Sequence, residues 1–492
     1  MDFLTFLLVL FSIIWICTLI LTSNSRARKS SRLPPGPKPF PIIGNILALG
    51  SKPHQSLAKL SQKYGPIMSL KLGSRTTVVV SSPEIAKIVL QKHDLAFFSR
   101  TVPSAGQTLN HHKFSMLWLP VEHQWRKLRK ICIEQMFSVP LLDANQGLRK
   151  EKLQKLVDYV KQCSDTGRAV VIGEAAFTTS LNLISAMLFS MEFAKFYSES
   201  SQEMKELVWG VMKCLGSPNF ADYFPILKSV DPQGILKETK IYFEKLFANF
   251  DIIIDEKIKC RDGEKNDLVE ALIEINQRDE AELTREDIKH LLLDLLVAGS
   301  DTTSKTVEWA MAKLIQNLDK LLKTRNELRN FARQSRIIQE SDIPHLSYLQ
   351  VVVKETFRLH PIAPLLGPRR ARIDVEINGY IIPKNAHVLI NVWAGGRDSS
   401  VWNNANSFMP ERFLDHNATQ IDFRADSIWC GEENLPGLPL ANRMVHLMLA
   451  TLVQNFGWEL KGGKKVEELD MDEKFGLSVQ KAMPLKAIPI KL

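Results

Sequence analysis

The sequence predicts a mainly α-helical fold with small β-sheets, preceded by a single transmembrane helix. Of the 492 residues 45% are hydrophobic, and along most of the chain they recur at the spacing of an amphipathic helix. Two stretches depart from this spacing, residues 67–82 and 375–382, where β-branched residues flank a glycine-containing turn and predict β-hairpins. Residues 3–21 contain no charged side chain and are long enough to cross a bilayer as a helix.

The charges around residues 3–21 predict the orientation of this helix. Only Asp2 precedes the apolar run, whereas four basic residues follow it: Arg26, Arg28, Lys29 and Arg32. The positive-inside rule then places the rest of the chain in the cytosol. A cleaved signal peptide is the alternative, but it would carry its basic residues first and a small-residue cleavage site afterwards. Cytosolic placement predicts that the glycosylation acceptor Asn417-Ala418-Thr419 stays unmodified.

The same reasoning divides the chain into three parts. Residues 1–23 form the transmembrane anchor, residues 24–45 a basic and proline-rich hinge, and residues 46–492 one large domain. The hinge contains Leu33-Pro34-Pro35-Gly36-Pro37-Lys38-Pro39, which cannot continue a helix because proline fixes φ and lacks an N–H group. We therefore expect a stiff spacer between the anchor and the domain.

Composition excludes several classes of function. The 63 basic and 54 acidic residues give a net charge of +9, spread without a basic tract or a nucleic-acid-binding motif. The six cysteines form no Cys-x-x-Cys pair and no disulfide framework, which is typical of a reducing compartment. Neither a Gly-x-Gly-x-x-Gly turn nor a Walker loop is present, so no nucleotide site is predicted.

One long helix carries the first candidate site. Thr284 and Asp287 have the spacing of a capping box and open an apolar stretch that runs to Ile315. Within it, the segment Ala298–Thr303 combines a glycine with hydroxyl side chains, which are unfavourable inside a helix. One interpretation is a groove for a flat ligand, with Asp301 and Thr302 delivering protons through water. The other is helix packing with a solvated aspartate.

Two further pairs of residues are weak signals on their own. Glu355 and Arg358 lie at i, i+3 on one helical face, where a surface ion pair would contribute little. Trp125 and Arg129 lie one turn apart and either bind an anionic group or cover a surface. The order and spacing of these segments along the chain carry more information than any one of them.

Together with the hinge and the segment Pro410-Glu411-Arg412-Phe413, these motifs closely resemble the plant microsomal cytochrome P450 family, along essentially the whole chain. The resemblance implies the cytochrome P450 fold, a haem b cofactor and a catalytic domain over residues 46–492. It also implies monooxygenase chemistry with O₂ on a small lipophilic substrate. Electrons would come from NADPH through the NADPH-cytochrome reductase, with the protein held at the endoplasmic-reticulum membrane by a single span.

The resemblance also implies roles for particular residues. Glu355, Arg358 and Arg412 would form a buried structural triad. Trp125, Arg129 and Arg369 would hold the haem propionates, a task suited to guanidinium groups. Asp301 and Thr302 would relay protons to iron-bound oxygen. Segments 110–116 and 475–477 most resemble the geraniol-hydroxylase-related group, which works mainly on terpenoids.

The haem ligand of the family is missing from this sequence. The family has Phe-x-x-Gly-x-Arg-x-Cys-x-Gly before the helix that opens here at Pro436, so the position of the cysteine ligand is Leu435. Glu433 stands at the arginine position and Ile428 at the phenylalanine position. Leucine offers no donor atom, and haem-thiolate chemistry needs a cysteine thiolate below the iron. Cys430 lies five positions upstream, in a loop without the motif's pattern, so we predict no metal ligand.

The genetic code offers an explanation. Residues 428–435 (IWCGEENL) can be encoded as ATT TGG TGC GGG GAG GAG AAT TTG. Read one base later, and completed by the first base of the proline codon, this string gives Phe-Gly-Ala-Gly-Arg-Arg-Ile-Cys, the complete family motif. The segment 424–436 is also shorter than in the family. A local frameshift, real or introduced in reading the gene, accounts for both features.

Three hypotheses follow for the function. The first is an endoplasmic-reticulum monooxygenase acting on a terpenoid, which requires the frameshift to be an artefact or the ligand to be unusual. The second is a haem-free pseudoenzyme that serves as a scaffold, a binder or a non-oxidative catalyst. The third is a decayed gene product that folds poorly, because Glu432, Glu433 and Asn434 replace a loop that normally packs on haem.

Overall fold

The computed structural model describes residues 7, 11–12, 14–15, 32–196, 203–260, 267–278, 283–332, 338–414, 435–463 and 465–492. Within these residues the predicted fold class is confirmed, since long helices dominate and the strands are short. Contacts along the chain separate two compact units. Unit 1 comprises Met1–Thr101, Tyr223–Ile226 and Leu365–Ala394, and unit 2 comprises Val102–Asp222, Leu227–Pro364 and Gly395–Leu492.

The α-helices follow one another along the whole described chain. In order they are α1 Pro53–Tyr64, α2 Pro83–Lys87, α3 His123–Cys132, α4 Val139–Ala144, α5 Gln146–Asp165, α6 Ile172–Phe189, α7 Glu203–Gly216, α8 Phe220–Tyr223, α9 Ile235–Lys259, α10 Leu268–Arg278, α11 Arg285–Gln316, α12 Leu318–Ala332, α13 Ser347–Leu359, α14 Val392–Gly395 and α15 Leu438–Asn455. Short 3₁₀ segments join them, among which Ala105–Lys113 and Pro410–Phe413 matter below.

The strands are short and form small sheets. In order they are β1 Ile67–Leu72, β2 Arg75–Val80, β3 Ser99–Arg100, β4 Val170–Val171, β5 Arg369–Arg370, β6 Val375–Ile377, β7 Tyr380–Ile382, β8 His387–Ile390, β9 Phe456–Leu460, β10 Glu473–Lys474, β11 Gln480–Lys481 and β12 Lys486–Lys491. The sheet orders are β1-β2-β8-β5-β3, β6-β7, β4-β12-β9 and β10-β11.

Unit 1 contains both predicted hairpins. β1 and β2 pair antiparallel from Ile67 opposite Val80 to Leu72 opposite Arg75. β6 and β7 pair around Asn378 and Gly379, whose φ angles of 50° and 79° fit a type I′ turn. Both hairpins are confirmed, because each depends on turn residues that neighbour each other in the sequence.

Unit 2 is built around α11, the predicted long helix. Thr284 accepts a hydrogen bond from the backbone of Asp287 and Asp287 returns one, so the predicted capping box is confirmed. The helix packs against α6, α13 and α15. Its leucines and those of these neighbours form the main apolar core of the unit.

Among the described residues, one helix is long and apolar enough to cross a membrane, α6. It is 83% buried inside the fold and therefore serves as a core helix. The predicted anchor over residues 1–23 lies outside the described residues apart from a few positions and stays a prediction.

Candidate functional site

The middle of α11 has one open position on each of two successive turns. Ala298 and Thr302 are exposed, although the residues on either side along this helix are largely buried. Gly299 lies against α6, where a Cβ atom would come within 2.8 Å of Ile184. Helix packing therefore explains the glycine, whereas the i, i+4 pair of open positions leaves room for a ligand beside α11.

The hydroxyl side chains of this segment bond to their own helix. Ser300 Oγ donates to Leu296 O at 2.7 Å, and Thr302 Oγ1 donates to Ala298 O at 2.9 Å. These bonds occupy the hydroxyl hydrogens, and α11 continues without interruption from Arg285 to Gln316. The segment thus tolerates its unfavourable composition through local hydrogen bonds.

Asp301 is buried and paired, which contradicts the interpretation of a solvated aspartate. Its side chain is 4% exposed, and the Lys305 Nζ atom lies 2.7 Å from its Oδ1. Ser478, from the turn between β10 and β11, donates its hydroxyl hydrogen to Asp301. Lys305 was missed in the sequence analysis, although its i+4 spacing is a visible signal. Ser478 gives no such signal, because 177 residues separate it from Asp301.

Trp125 and Arg129 lie on α3 in unit 2. Trp125 is buried, and its indole nitrogen donates to Met116 O at 3.1 Å. The Arg129 guanidinium carbon lies 5.8 Å from the centre of the Trp125 ring. The two side chains thus contact each other one turn apart, and the tryptophan N–H is engaged within the protein.

Arg369 lies in unit 1, on β5. It is buried, and its guanidinium approaches the Asp94 carboxylate at 3.7 Å and Phe97 O at 3.4 Å. Its cross-strand partner on β3 is Arg100, a residue that the sequence analysis missed. The Arg100 guanidinium donates to Gly367 O at 3.0 Å, so both arginines of this strand pair have partners within the protein. The proximity of Arg100 to Arg369 follows from the pairing of β3 with β5 and has no signal in the local sequence.

Glu355, Arg358 and Arg412 meet in unit 2. Arg358 grips the Glu355 carboxylate with two nitrogens, each at 2.7 Å, and Arg412 Nε lies 3.2 Å from Glu355 Oε1. Arg358 also donates to Ala405 O at 2.7 Å, and Met409 N donates to Glu355 at 2.8 Å. These hydrogen bonds join the irregular segment after α14 to α13. Because the buried charges are all paired and hydrogen-bonded, they hold the segment in place without an uncompensated charge.

Position 435, which the sequence analysis predicts to be the ligand position, carries a leucine and offers no donor atom. Leu435, the first residue described after position 414, is 41% exposed and leads into α15. Burial raises the pKa of the Cys132 thiol to about 12, so it stays protonated. The other cysteines in the described ranges are Cys163, Cys214 and Cys260, on helices or helix ends remote in sequence from position 435. Cys430, Glu433 and Ile428 lie outside the described residues.

These observations fit a haem-thiolate group in part. The open face at Ala298 and Thr302, with a buried acid beside it, suits a flat ligand. Position 435 cannot supply the sulfur that a haem-thiolate centre needs.

Comparison with known proteins gives a consistent answer. The cytochrome P450 family model matches residues 34–485. The chain is 53% identical to cytochrome P450 76T24 of Catharanthus roseus, covering 97% of each chain. It is 48% identical to ferruginol synthase of Isodon rubescens and 47% identical to geraniol 8-hydroxylase of Catharanthus roseus, covering 100% of both chains in each case. The chain therefore belongs to the cytochrome P450 family, whose members are haem-thiolate monooxygenases.

Proposed function

We propose that this protein derives from, and in its intact form is, a monooxygenase that hydroxylates a terpenoid. The names of its relatives support the substrate class, since geraniol and ferruginol are both terpenoids. The observation that carries the proposal is the open face of α11 at Ala298 and Thr302 beside the buried Asp301. Small side chains there leave space for a lipophilic substrate.

The proposal gives each candidate residue a task. Arg129 and Arg369, with Trp125 packed beside Arg129, would neutralise the haem propionates. Asp301 and Thr302 would hold and pass protons on the α11 side. Glu355, Arg358 and Arg412 would keep the segment after α14 in place. Haem, when bound, supplies the activation of O₂.

The proposal places the protein at the endoplasmic-reticulum membrane. The anchor over residues 1–23 would hold the catalytic domain on the cytosolic side. There it would receive electrons from NADPH through the membrane-bound NADPH-cytochrome reductase, the usual partner of its family.

A second function is favoured by one observation, Leu435. A chain with leucine at the ligand position would be a haem-free pseudoenzyme, acting as a scaffold, a binder or a non-oxidative catalyst. A decayed gene product that folds poorly is the remaining alternative. A cooperative melt of the purified haem-free chain would favour the pseudoenzyme over the decayed product.

The deciding experiment begins with the transcript across codons 420–441. It then compares three full-length proteins: the chain as written, Leu435→Cys alone, and a version with residues 428–435 replaced by Phe-Gly-Ala-Gly-Arg-Arg-Ile-Cys. We expect bound haem and a thiolate-type spectrum of the reduced carbon-monoxide complex in the third protein. We expect neither in the first, because leucine has no donor atom.

The Leu435→Cys variant distinguishes the contribution of the cysteine ligand to haem binding from the contribution of the surrounding loop. It should bind haem poorly, because Glu433 and the altered loop do not hold the sulfur in place. A thiolate spectrum from the chain as written would overturn the assignment of position 435. Haem binding by the third protein without oxidation of any monoterpene or diterpene alcohol or hydrocarbon would overturn the substrate class.

A further inference from the structure

Two histidines form a buried pair where the segment 105–119 meets α11. His111 and His290 are 1% and 0% exposed, and their Nδ1 atoms lie 2.8 Å apart. Phe114 stacks on His290 with ring centroids 4.9 Å apart, and Phe247 of α9 meets it edge-on at 4.6 Å. These rings contact His290 on two sides, and both imidazoles are shielded from solvent.

Asp294, one turn after His290 on α11, connects this pair to the segment backbone. His111 Nε2 lies 3.4 Å from Asp294 Oδ1. Ser115 Oγ donates to Oδ1 at 2.8 Å, and Met116 N donates to Oδ2 at 2.7 Å. The Asp294 carboxylate therefore contacts three residues of the segment, His111, Ser115 and Met116. All three are far from Asp294 in the sequence.

The distances determine where the hydrogens lie. The short separation of the two Nδ1 atoms allows a single hydrogen between them. The Asp294 carboxylate favours a hydrogen on His111 Nε2, so His111 Nδ1 accepts and His290 Nδ1 donates. His290 Nε2 then carries no hydrogen, and it has no hydrogen-bond partner. The His290 ring is neutral in this arrangement.

The backbone beside His111 is strained. Leu109 and Asn110 have φ angles of 48° and 59°, in the left-handed region that side chains other than glycine adopt rarely. Such conformations persist where surrounding contacts hold them. The hydrogen bonds of His111, Ser115 and Met116 supply those contacts, so losing them would let the segment relax.

A proton added to His290 has no acceptor within hydrogen-bond distance. Glu286 Oε2 lies 3.8 Å from Nε2, with its side chain half exposed, and Lys289 Nζ is already paired with Glu286 and with Asp251 of α9. The segment itself contributes His112 and Lys113, and α3 contributes the protonated Cys132 thiol facing Asp294. Burial, with His111 and Lys289 nearby, lowers the pKa of His290 from 6.5 to about 3.

We propose that His290 and His111 form a pH-sensitive latch, which holds the segment 105–119 on α11 at neutral pH and releases it in mild acid. The latch is made by contacts within the protein, and the proposed function gives neither histidine a task.

The sign and size of the effect follow from linkage. The released, solvated His290 takes up a proton below its ordinary pKa of 6.5, whereas the latched one does so only near 3. The latch is therefore fully effective above pH 6.5 and weakens as the pH falls. One proton taken up on release raises the opening constant about tenfold between pH 7.5 and 5.5.

Hydrogen exchange on the detergent-solubilised full chain tests this directly. Protection factors, corrected for the intrinsic pH dependence of exchange, are compared at pH 7.5 and 5.5 for peptides covering residues 105–119. We expect about a tenfold loss of protection there and a much smaller change in α5, which contains no histidine. In His290→Asn, the amide nitrogen still donates to His111 but does not titrate, so the loss of protection between pH 7.5 and 5.5 should become much smaller, with His112 and His111 as the remaining titratable groups of the segment.

His345→Asn is the matched control, since His345 is exposed and lies outside the cluster. It should behave as the unaltered chain does. Equal protection of residues 105–119 at both pH values in the unaltered chain would overturn the latch, and this measurement needs no variant. An undiminished pH response in His290→Asn would overturn the assignment to this pair.

Discussion

At the scale of single residues, the pairing of Asp301 with Lys305 has the largest consequence for stability. Both side chains are mostly buried, at 4% and 13% exposure, so neither charge can be solvated by water when its partner is removed. We expect Lys305→Met to lower the free energy of unfolding by about 3–5 kcal/mol, the cost of an uncompensated buried charge. Urea denaturation of the full chain measures this.

The matched comparisons are Asp301→Asn with Lys305→Met, and Lys130→Met alone. The double variant should recover most of the loss, because no unpaired charge remains. Lys130 faces Glu134 in an exposed i, i+4 pair, so its loss should cost less than about 0.5 kcal/mol. A loss at Lys305 as small as that at Lys130 would show that the buried pair does not stabilise the fold.

The sequence predicted the candidate residues of α11 better than their surroundings. Asp301 and Thr302 were identified from their position in an unusual helical segment; Thr302 lies on the exposed side of α11, and the roles of both residues stay predictions. Whether Asp301 is solvated could not be decided, because Ser478 approaches it from a turn 177 residues away. Likewise, no sequence pattern near Arg369 predicts that Arg100 is its cross-strand partner.

At the scale of elements, the N-terminus of α11 depends on its capping box. Thr284 Oγ1 accepts from Asp287 N at 3.1 Å, and Thr284 N donates to Asp287 Oδ2 at 2.9 Å. We expect Thr284→Ala to destabilise the protein by about 1–2 kcal/mol and to speed amide exchange in the first turn of α11. Urea melts and hydrogen exchange measure the two effects.

Ser138→Ala is the control for this prediction. Ser138 occupies the N-cap of α4, but its side chain makes no capping hydrogen bond there. Its replacement should change stability by less than about 0.5 kcal/mol. Equal effects at Thr284 and Ser138 would mean that the residue type, and not the hydrogen bond, sets the stability of a helix start.

Elements whose stabilising residues are close together in the sequence could be predicted from it. Elements that depend on residues far away in the sequence could not. The turns at Gly73 and at Asn378-Gly379 and the cap at Thr284 all involve residues within a few positions of each other. The 3₁₀ segment Ala105–Lys113 has no comparable local signal. Its shape depends on His290 and Asp294, 179 residues further along the chain.

At the scale of the whole molecule, membership of the cytochrome P450 family does not by itself establish that this chain binds haem. The family match extends over residues 34–485, and the helical core, the Glu355 triad and the open face of α11 are all present in the described residues. The predicted departure from the family motif lies at residues 428–435, in a segment 424–436 that is shorter than in the family, and with the codons given above a shift of one base restores all eight motif residues. Drift spread over the chain would be expected to alter buried pairs such as Glu355–Arg358 as well. The local change in frame therefore stays our prediction, and the transcript across codons 420–441 tests it.

The orientation of the whole chain is the last prediction. If residues 3–21 span the membrane with Arg26, Arg28, Lys29 and Arg32 on the cytosolic side, the acceptor at Asn417 never meets the lumenal glycosylation machinery. Expression in microsomes should give a chain whose mobility does not change on endoglycosidase treatment. An added N-terminal tag with its own acceptor should become glycosylated, because that end lies in the lumen. Moving the four basic residues ahead of the span should reverse both results, and a glycan on Asn417 of the unaltered chain would contradict the assigned orientation.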